Sequence, residues 1–433
     1  MKTMSFFIET YGCQMNVADS SGLARLLELN GLKFNDSFTP DTDVVIINTC
    51  SVRHSAENRI YGRLGYYKNL KQKQSFILIL TGCMAEKEKQ NILKIAPHID
   101  FVVGTHNQKL IPGLIKNSSN ENVFTGFGNY SFTSSVSDEK FPFRAFVTII
   151  HGCSNFCTYC IVPYVRGREI SRNPEEIVSD IENLVKNGVK EIVLLGQNVN
   201  SYGINEGHIN FSELLKRVDN IPGLKRLRFI TSHPKDFSFE LIDTLAELKT
   251  LCHDIHLPLQ SASNKILKLM NRKYTFENYY SKIKYLREKI DSPRITTDLL
   301  VGFPGEDEYD YSGTIQAIKD IRFDSAFMYK YSPREGTDAF NIKEEISDEE
   351  KQNRLANLIN IQNNITEQNL KNRINSIERV LIETVSKNNE REYKGVSGKG
   401  YAVVFETENN VPGDIVKVKI TGVKGQTLKG KLV

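Results

Sequence analysis

The chain has 433 residues, a formal net charge of +4, and 40% hydrophobic and 25% charged residues. This composition is typical of a folded globular protein, and the length suffices for two or three domains. No run of 18 apolar residues predicts a membrane-spanning helix, and the apolar stretch near the N-terminus is too short for a signal peptide. We therefore expect a cytoplasmic protein, without a membrane partner, whose seven cysteines are reduced and available to bind metal.

The first third of the chain alternates short apolar runs, at residues 6–9, 44–48 and 76–81, with helical patterns. Such alternation predicts a parallel sheet with crossover helices. Cys13, Cys50 and Cys83 each follow one of the runs. Because parallel strands end at one edge of their sheet, we expect the three thiols to meet there. The alternative is three small buried side chains without a ligand.

A segment rich in Asn, Ser and Gly at residues 117–140 predicts a linker or surface loop. Six strand candidates between residues 145 and 331 alternate with helical patterns, which suits an open sheet or a partial barrel. After a polar helical pattern at residues 348–374, strand candidates at 380–385, 401–405, 415–420 and 427–432 predict a small β-barrel. The predicted domains are residues 4–120, 139–370 and 371–433, with a linker at 121–138.

Cys153, Cys157 and Cys160 form a Cys-x3-Cys-x2-Cys motif after the first strand of the second predicted domain. Three closely spaced thiolates can bind an iron–sulfur cluster and leave one iron of a [4Fe–4S] cluster without a protein ligand. An open coordination site is typical of a reacting metal rather than a structural one. A structural zinc ion is the alternative, and it would need a fourth ligand, for which His151 is a candidate.

This motif resembles the signature of the radical S-adenosylmethionine (radical SAM) superfamily. The segments Tyr11–Asn16, Asn48–Ser51 and Gly82–Met84 resemble the N-terminal domain of methylthiotransferases, and the C-terminal module resembles a TRAM domain, an RNA-binding β-barrel. The resemblance implies an α/β protein: an N-terminal parallel-sheet domain, a central partial (βα)6 radical SAM barrel and a C-terminal TRAM barrel. It also implies S-adenosyl-L-methionine and two [4Fe–4S] clusters, the second of them an auxiliary cluster held by Cys13, Cys50 and Cys83.

Three segments, at residues 157–164, 194–202 and 256–261, are similar to the methylthiotransferases that modify isopentenylated adenosine in tRNA, although Ala262 stands where Gly is expected. The resemblance implies methylthiolation at C2 of N6-isopentenyl (dimethylallyl) adenosine at position 37 of tRNA. S-adenosylmethionine would be both methyl donor and radical source. The alternatives are threonylcarbamoyl adenosine in tRNA, an aspartate of a ribosomal protein, or a non-catalytic iron–sulfur regulator that binds RNA.

The candidate site residues fall into three groups. The metal ligands are Cys13, Cys50, Cys83, Cys153, Cys157 and Cys160. Polar or small residues at predicted strand ends, with an aromatic residue between two cysteines, are candidates for binding S-adenosylmethionine, with a plain loop role as the alternative: Tyr159, Gly196, Gln197, Asn198, Thr231, Ser232, Gln260 and Asp298. Cationic residues are candidates for contact with tRNA phosphate: Arg166, Arg168, Arg334, Lys417, Lys419, Lys424 and Lys429.

Overall fold

The computed structural model describes residues 3–51, 54–117, 119–128, 130–138, 140–343, 345–386 and 389–433. It contains an N-terminal α/β domain, a central α/β domain and a C-terminal closed β-barrel, in the predicted order. Glu139, the expected first residue of the central domain, lies outside the described residues. Across these ranges, no helix is both long enough and apolar enough to cross a membrane.

The N-terminal domain is a six-stranded parallel sheet with the strand order β2-β1-β3-β4-β5-β6. Its strands are β1 Ser5–Thr10, β2 Lys33–Phe34, β3 Val44–Thr49, β4 Ile77–Gly82, β5 Phe101–Val103 and β6 Val123–Phe124. Its helices are α1 Gln14–Leu29, α2 His54–Lys71, α3 Cys83–Glu88, α4 Asn91–Ile95 and α5 Ile111–Lys116. The direction of winding reverses between β1 and β3, and open α/β sheets bind ligands beyond the strand ends at such a point.

The segment predicted as a linker packs against both neighbouring domains. Val123 and Phe124 form β6, the edge strand of the N-terminal sheet. The Thr133 side chain fills the space beside Gly22 of α1, and the backbone N–H of Ser135 donates a hydrogen bond to Asp180 at 3.0 Å. The segment therefore joins the two α/β domains as a packed strap rather than a free tether.

The central domain contains all six predicted strands, in two three-stranded parallel sheets with the orders β11-β10-β7 and β12-β13-β14. Leu227 and Leu251 form a parallel bridge between β11 and the segment before β12, so the strands follow one another around a partial barrel. The strands are β7 Arg144–Thr148, β8 Ile150–His151, β9 Ile170–Ser171, β10 Glu191–Leu195, β11 Arg226–Phe229, β12 Asp254–His256, β13 Arg294–Val301 and β14 Ser325–Lys330. The helices are α6 Val162–Arg166, α7 Pro174–Lys186, α8 Phe211–Asp219, α9 Phe239–Glu247, α10 Asn264–Leu269, α11 Phe276–Lys289, α12 Glu308–Ile321 and α13 Asp348–Lys371.

Helix α7 shows how local sequence builds this domain. Asn173 caps the helix because its side chain accepts a hydrogen bond from the N–H of Glu175, and Pro174 occupies the first helical position. Ile177, Ile181 and Leu184 recur at helical spacing and are buried in the largest apolar core. The helix thereby covers the outer face of the sheet and leaves the strand ends open.

The C-terminal barrel has five strands, in the order β15-β16-β17-β19-β18, rather than the four that the sequence predicted. They are β15 Ile377–Ser386, β16 Asn389–Ser397, β17 Ala402–Glu406, β18 Ile415–Lys424 and β19 Thr427–Leu432. The missed strand, β16, begins with Asn-Glu-Arg-Glu, which lacks the β-branched and aromatic residues on which strand prediction relies. It pairs on both sides, so cross-strand hydrogen bonding determines its conformation.

A layer of charged residues closes the N-terminal end of the partial barrel. Five of its strands begin with a charged residue: Arg144, Glu191, Arg226, Asp254 and Arg294. Glu191 is fully buried and contacts Arg144 at 2.5 Å, Arg226 at 2.7 Å and Arg228 at 3.1 Å. Burial alone would raise the pKa of Glu191, but the three arginines outweigh it and lower this pKa to about 2. The stabilising contribution of the carboxylate is therefore complete above pH 4.5 and is lost as the pH falls toward 2.

The C-terminal barrel docks on this charged layer. Arg226 donates to the carbonyl oxygens of Val396 and Ser397, both at 2.8 Å, and Arg144 pairs with Glu383 at 2.7 Å. The barrel therefore lies at the end of the central domain opposite the carboxyl ends of its strands.

We expect Glu191→Gln to destabilise the protein by about 3–5 kcal/mol, because three arginines lose their shared buried anion. The chain has no tryptophan, so urea unfolding is best followed by circular dichroism. Glu182→Gln, an exposed position on α7, is the matched control and should leave the unfolding midpoint unchanged. Equal midpoints for the two variants would contradict a stabilising role of the charged layer.

Candidate functional site

The first thiol set, Cys13, Cys50 and Cys83, lies at the carboxyl ends of three adjacent parallel strands, as the sequence predicted. Cys13 follows β1 and caps α1, Cys50 follows β3, and Cys83 is the first residue of α3 after β4. Cys13 and Cys50 flank the point at which the winding of the sheet reverses. Cys13 is exposed, whereas Cys50 and Cys83 are buried. The set therefore lies at the sheet edge with one thiol open to solvent.

Two asparagines and a glycine fix the backbone around the first thiol set. The Asn16 amide donates to Asn48 Oδ1 at 3.2 Å and to the Thr49 carbonyl at 3.0 Å, and Asn48 donates back to the Asn16 carbonyl at 2.9 Å. Gly82 has a φ of +95°, and a Cβ there would lie 2.4 Å from the Thr49 carbonyl oxygen. Only glycine allows this approach, so residue 82 brings Cys83 close to the loop of Cys50.

The second thiol set, Cys153, Cys157 and Cys160, lies in the loop between β8 and α6. Burial, with a further contribution from the Cys157 thiol, raises the pKa of Cys160 to about 12, and burial raises the pKa of Cys153 as well. Burial therefore disfavours free thiolates at these positions, and a bound metal would stabilise them. Phe156, between two of the cysteines, has a φ of +48°, so the loop is held in a conformation that non-glycine residues rarely adopt.

A zinc ion at the second thiol set would need His151 as its fourth ligand. His151, the possible fourth ligand, stacks on Tyr130 with ring centroids 3.8 Å apart. In the ranges that the structure covers, no three His, Cys, Asp or Glu side chains converge on a position for one metal ion. Cluster thiolates bind separate irons, so a set of cysteines spread around a loop fits a cluster better than a single zinc ion.

The two thiol sets meet where α6 packs against α3. Cys83 of the first set is buried together with Ile161 and Val165, which follow Cys160 of the second set. Arg334 donates to the carbonyl of Ser51, next to Cys50, at 3.2 Å, and its charge also acts on Cys160. Two sites from separate domains are thus adjacent.

Arg166 lies at this junction, which corrects its predicted contact with RNA. It is only 2% exposed, donates from Nε to Cys83 Sγ at 3.3 Å and pairs with Asp19 at 2.8 Å. A guanidinium enclosed in this way has no surface available to tRNA phosphate. The sequence alone suggested a surface cation because the burial depends on α1 and α3, which are distant along the chain.

Polar side chains without partners lie at the strand ends of the central domain. Among the described residues there is no hydrogen-bond partner for either amide atom of Gln197, for Asn198 Oδ1, for either amide atom of Asn200 or for Ser232 Oγ, although all these atoms are buried. Asn198 does donate from Nδ2 to Asp236 at 2.7 Å. Buried polar atoms are normally paired, so this group fits a polar ligand. Asn200 extends the predicted set, and only its position in the loop after β10 could have indicated it.

Backbone strain accompanies these side chains. Thr231, after β11, has a φ of +75°, and Gln260, after β12, has a φ of +68°. The left-handed region is unfavourable for a β-branched residue such as threonine, and such strain is concentrated at functional sites. Gly196 packs tightly, since a Cβ there would lie 2.2 Å from Ile150 Cγ2.

The remaining predicted cofactor-binding residues have protein partners. Asp298, on β13, contacts His256 Nε2 at 3.3 Å. The Tyr159 hydroxyl accepts a hydrogen bond from Arg272 at 3.4 Å, and the Tyr159 ring packs near Phe303. Tyr159 lies between two cysteines of the second thiol set, and Asp298 lies on β13 of the partial barrel. Their contacts also suit residues that support the site without touching the ligand.

Most of the predicted RNA-binding cations are on the surface. Lys417 and Lys419 are exposed on β18, alternating with buried Val418 and Ile420, and Lys424 and Lys429 are exposed farther along the barrel. Arg168 is also exposed and lies over the Phe156 ring at 5.4 Å.

A basic groove runs between the central domain and the C-terminal barrel. It has a volume of about 560 Å³, and its lining includes Lys190, Lys225, Arg379 and Lys417. Lys190 and Lys225 precede β10 and β11, so the groove lies at the N-terminal ends of the barrel strands. The cations of this groove come from two domains, so no local run of the sequence indicates it.

Family models match three stretches of the chain. They are the uncharacterized protein family UPF0004 at residues 5–104, the radical SAM superfamily at residues 147–318 and the TRAM domain at residues 371–433. Proteins named tRNA-2-methylthio-N(6)-dimethylallyladenosine synthase from Clostridium botulinum (strain Hall), Treponema denticola and Thermodesulfovibrio yellowstonii are each 42% identical to this chain. The alignments cover 98%, 99% and 100% of this chain and 96%, 100% and 100% of those proteins. The chain belongs to this family of radical SAM methylthiotransferases.

Solved structures share the fold of the α/β domains. The radical SAM methyltransferase TsrM from Kitasatospora setae matches with a TM-score of 0.60 at 14% identity, over 78% of this chain and 74% of that one. The cobalamin-dependent SAM radical enzyme OxsB matches with a TM-score of 0.55 at 11% identity, over 85% and 56%. These matches, with the TRAM match of the barrel, confirm the predicted fold class.

Membership in the radical SAM superfamily implies a [4Fe–4S] cluster and S-adenosylmethionine, and the residues present fit both. The second thiol set supplies the soft thiolate donors that iron requires. The unpaired amides and hydroxyl at the strand ends can donate to and accept from a zwitterionic amino acid and a ribose.

We expect Gln197→Leu to leave thermal stability unchanged or raised, because it removes buried polar atoms that have no partner. The same change should weaken S-adenosylmethionine binding about tenfold, as the ligand loses hydrogen bonds. Calorimetric titration of the anaerobically reconstituted protein measures the affinity. Gln74→Leu is the control, since Gln74 Nε2 is likewise unpartnered but lies before β4 in the N-terminal domain. A similar affinity for both variants would exclude Gln197 from the cofactor site.

Proposed function

We propose that this protein transfers a methylthio group to C2 of N6-dimethylallyladenosine in tRNA, using S-adenosylmethionine. The observation that carries the proposal is the packing of Cys83, of the first thiol set, against Ile161 and Val165, which follow Cys160 of the second set, in a chain that aligns over its whole length with the synthase from Thermodesulfovibrio yellowstonii. The tRNA substrate also supports a cytoplasmic location for the reaction.

The second thiol set is proposed to hold the radical SAM cluster, and the first thiol set an auxiliary [4Fe–4S] cluster. When bound, these groups and S-adenosylmethionine supply the one-electron chemistry that an unactivated adenine C–H bond requires, together with the methyl group. Each set has three thiols, so each cluster would retain one iron without a protein ligand. Adjacent sites favour a single buried cavity in which both halves of the reaction can reach the same base.

The protein's own contribution is binding and orientation. Gln197, Asn200 and Ser232 present unpaired polar atoms toward a ligand, and the strained Thr231 holds the end of β11 in place. Because these atoms are fixed before the ligand arrives, the cofactor binds to a preorganised site. Tyr159 and Asp298 are proposed to border the same cavity.

The exposed lysines of the C-terminal barrel and the basic groove are proposed to contact tRNA phosphates. Such contacts position RNA without reading its sequence. The adenosine itself would enter from the opposite end, at the carboxyl ends of the barrel strands. An unpaired loop nucleotide can be turned out of its stack, as recognition at a buried site requires.

Nucleoside mass spectrometry tests the function directly. Reconstituted protein is incubated anaerobically with S-adenosylmethionine, a reductant, sulfide and tRNA that carries N6-dimethylallyladenosine. We expect a new 2-methylthio derivative of that nucleoside. Formation of 5′-deoxyadenosine without the derivative would reject this substrate and favour threonylcarbamoyl adenosine or a protein. If neither product appears although both clusters are present, a non-catalytic RNA-binding regulator becomes the better interpretation.

Replacement of Cys50 by alanine should remove the iron of one cluster and abolish methylthio product, because the first thiol set would keep only two ligands. Iron analysis and nucleoside mass spectrometry measure the two effects. Cys252→Ala is the matched control, since Cys252 is buried but belongs to neither set. A Cys50→Ala protein with full iron and full activity would refute the auxiliary-cluster assignment.

A further inference from the structure

Each thiol set contains one thiol that accepts a hydrogen bond from a buried arginine. In the first set, Arg166 Nε donates to Cys83 Sγ at 3.3 Å. In the second set, Arg272 Nη1 donates to Cys157 Sγ at 3.5 Å. Both arginines are buried, with exposed fractions of 2% and 4%. The same kind of contact therefore occurs in both thiol sets, once from helix α6 and once from the loop between α10 and α11.

Arg272 is a buried cation without a carboxylate partner in the described parts of the chain. It lies in the loop between α10 and α11, and its other donors contact the Pro258 carbonyl at 3.0 Å and the hydroxyls of Tyr274 and Tyr159 at 3.1 and 3.4 Å. A buried charge needs a compensating charge. Cys157 Sγ is the proposed cluster-ligand atom that Arg272 contacts directly.

His233 supplies a second donor to the same sulfur. Its Nδ1 accepts a hydrogen bond from the backbone N–H of Lys235 at 3.2 Å, so Nδ1 carries no proton. The ring proton is therefore on Nε2, which lies 3.8 Å from Cys157 Sγ. This N–H can donate a hydrogen bond to the sulfur. Two N–H groups thus converge on one thiol of the second set.

Arg166 is held from the other side by Asp19, at 2.8 Å. Its Nη1 is buried and has no partner among the described groups, and the charge of Arg166 also acts on Cys13. Asp19 orients the guanidinium so that one edge faces the first thiol set. A fixed cation beside thiolate ligands stabilises added negative charge more than neutral surroundings would.

We propose that Arg166 and Arg272 are positioning residues that orient the Cys83 and Cys157 thiolates and raise the reduction potential of the cluster each thiolate binds. The inference rests on the proposed cluster assignments. Reduction adds one negative charge to a cluster, and hydrogen bonds to its sulfurs favour the reduced form. Each arginine donates a hydrogen bond to a sulfur of its own thiol set, so we expect its larger effect on the cluster of that set.

Redox titration followed by electron paramagnetic resonance tests this with reciprocal controls in the full-length chain. One background carries alanine at the first thiol set, and the other carries alanine at the second. Where only the second set remains, Arg272→Gln should shift the one-electron reduction equilibrium at least tenfold toward the oxidised form, which is 59 mV, while Arg166→Gln should shift it less. Where only the first set remains, Arg166→Gln should cause the larger shift and Arg272→Gln the smaller one.

The lysine variants separate positioning from folding. Arg272→Lys and Arg166→Lys keep the charge and should restore most of the potential and of the iron content. Unchanged potentials in both glutamine variants at full iron content would overturn the proposal. Loss of iron in the glutamine and lysine variants alike, with altered circular dichroism, would assign the arginines a purely structural role and also overturn it. Shifted potentials in a protein whose unmodified form makes no methylthio nucleoside would uphold this proposal and reject the proposed function.

Discussion

The arrangement of the candidate site depends on one interface, the packing of α3 against α6. Helix α3 begins at Cys83, at the end of a strand of the N-terminal sheet, and α6 follows Cys160 of the central domain. Because each helix starts at or directly after a cysteine, their contact sets the separation of the two thiol sets. Arg166 and Asp19 add a buried ion pair across the domains. Such a pair contributes more to a unique arrangement than to net stability.

The charged layer at the other end of the partial barrel has a complementary role. Glu191 and its arginines fill the N-terminal end of the partial barrel, away from the candidate cofactor-binding residues. The C-terminal barrel covers this end, where the carbonyls of Val396 and Ser397 accept hydrogen bonds from Arg226. The surface proposed to bind RNA is therefore fixed relative to the strand ends rather than connected by a flexible tether. A tRNA held in the basic groove would have to extend along the outside of the central domain to place a loop nucleotide at the thiol sets.

The strand periodicity was sufficient to predict the parallel sheets and the position of Cys13, Cys50 and Cys83 at neighbouring strand ends, because both follow from local pattern and from the geometry of parallel strands. The burial of Arg166 was not predictable in the same way. An Arg-Gly-Arg run after a metal-binding loop has the composition of a surface segment, and only the approach of α1 and α3 encloses its first arginine. The contact between Arg272 and Cys157 was missed for the same reason, since the two residues are 115 positions apart. Strand β16 was missed because its pairing partners, rather than its own residues, favour the extended conformation.

The strand ends of the central domain combine features that reduce the stability of the free protein. Thr231 and Gln260 have left-handed backbones, and Gln197, Asn200 and Ser232 bury polar atoms without partners. Strained residues cost about 1–3 kcal/mol each and unpaired buried groups about as much. A fold retains such costs when a ligand offsets them, and a ligand that satisfies these atoms would stabilise the strand ends on binding. The apolar core beneath, with its fully buried strand residues, is what allows this edge to remain strained and open. The apolar core therefore holds the strand ends in place, and a bound ligand would supply the missing hydrogen-bond partners.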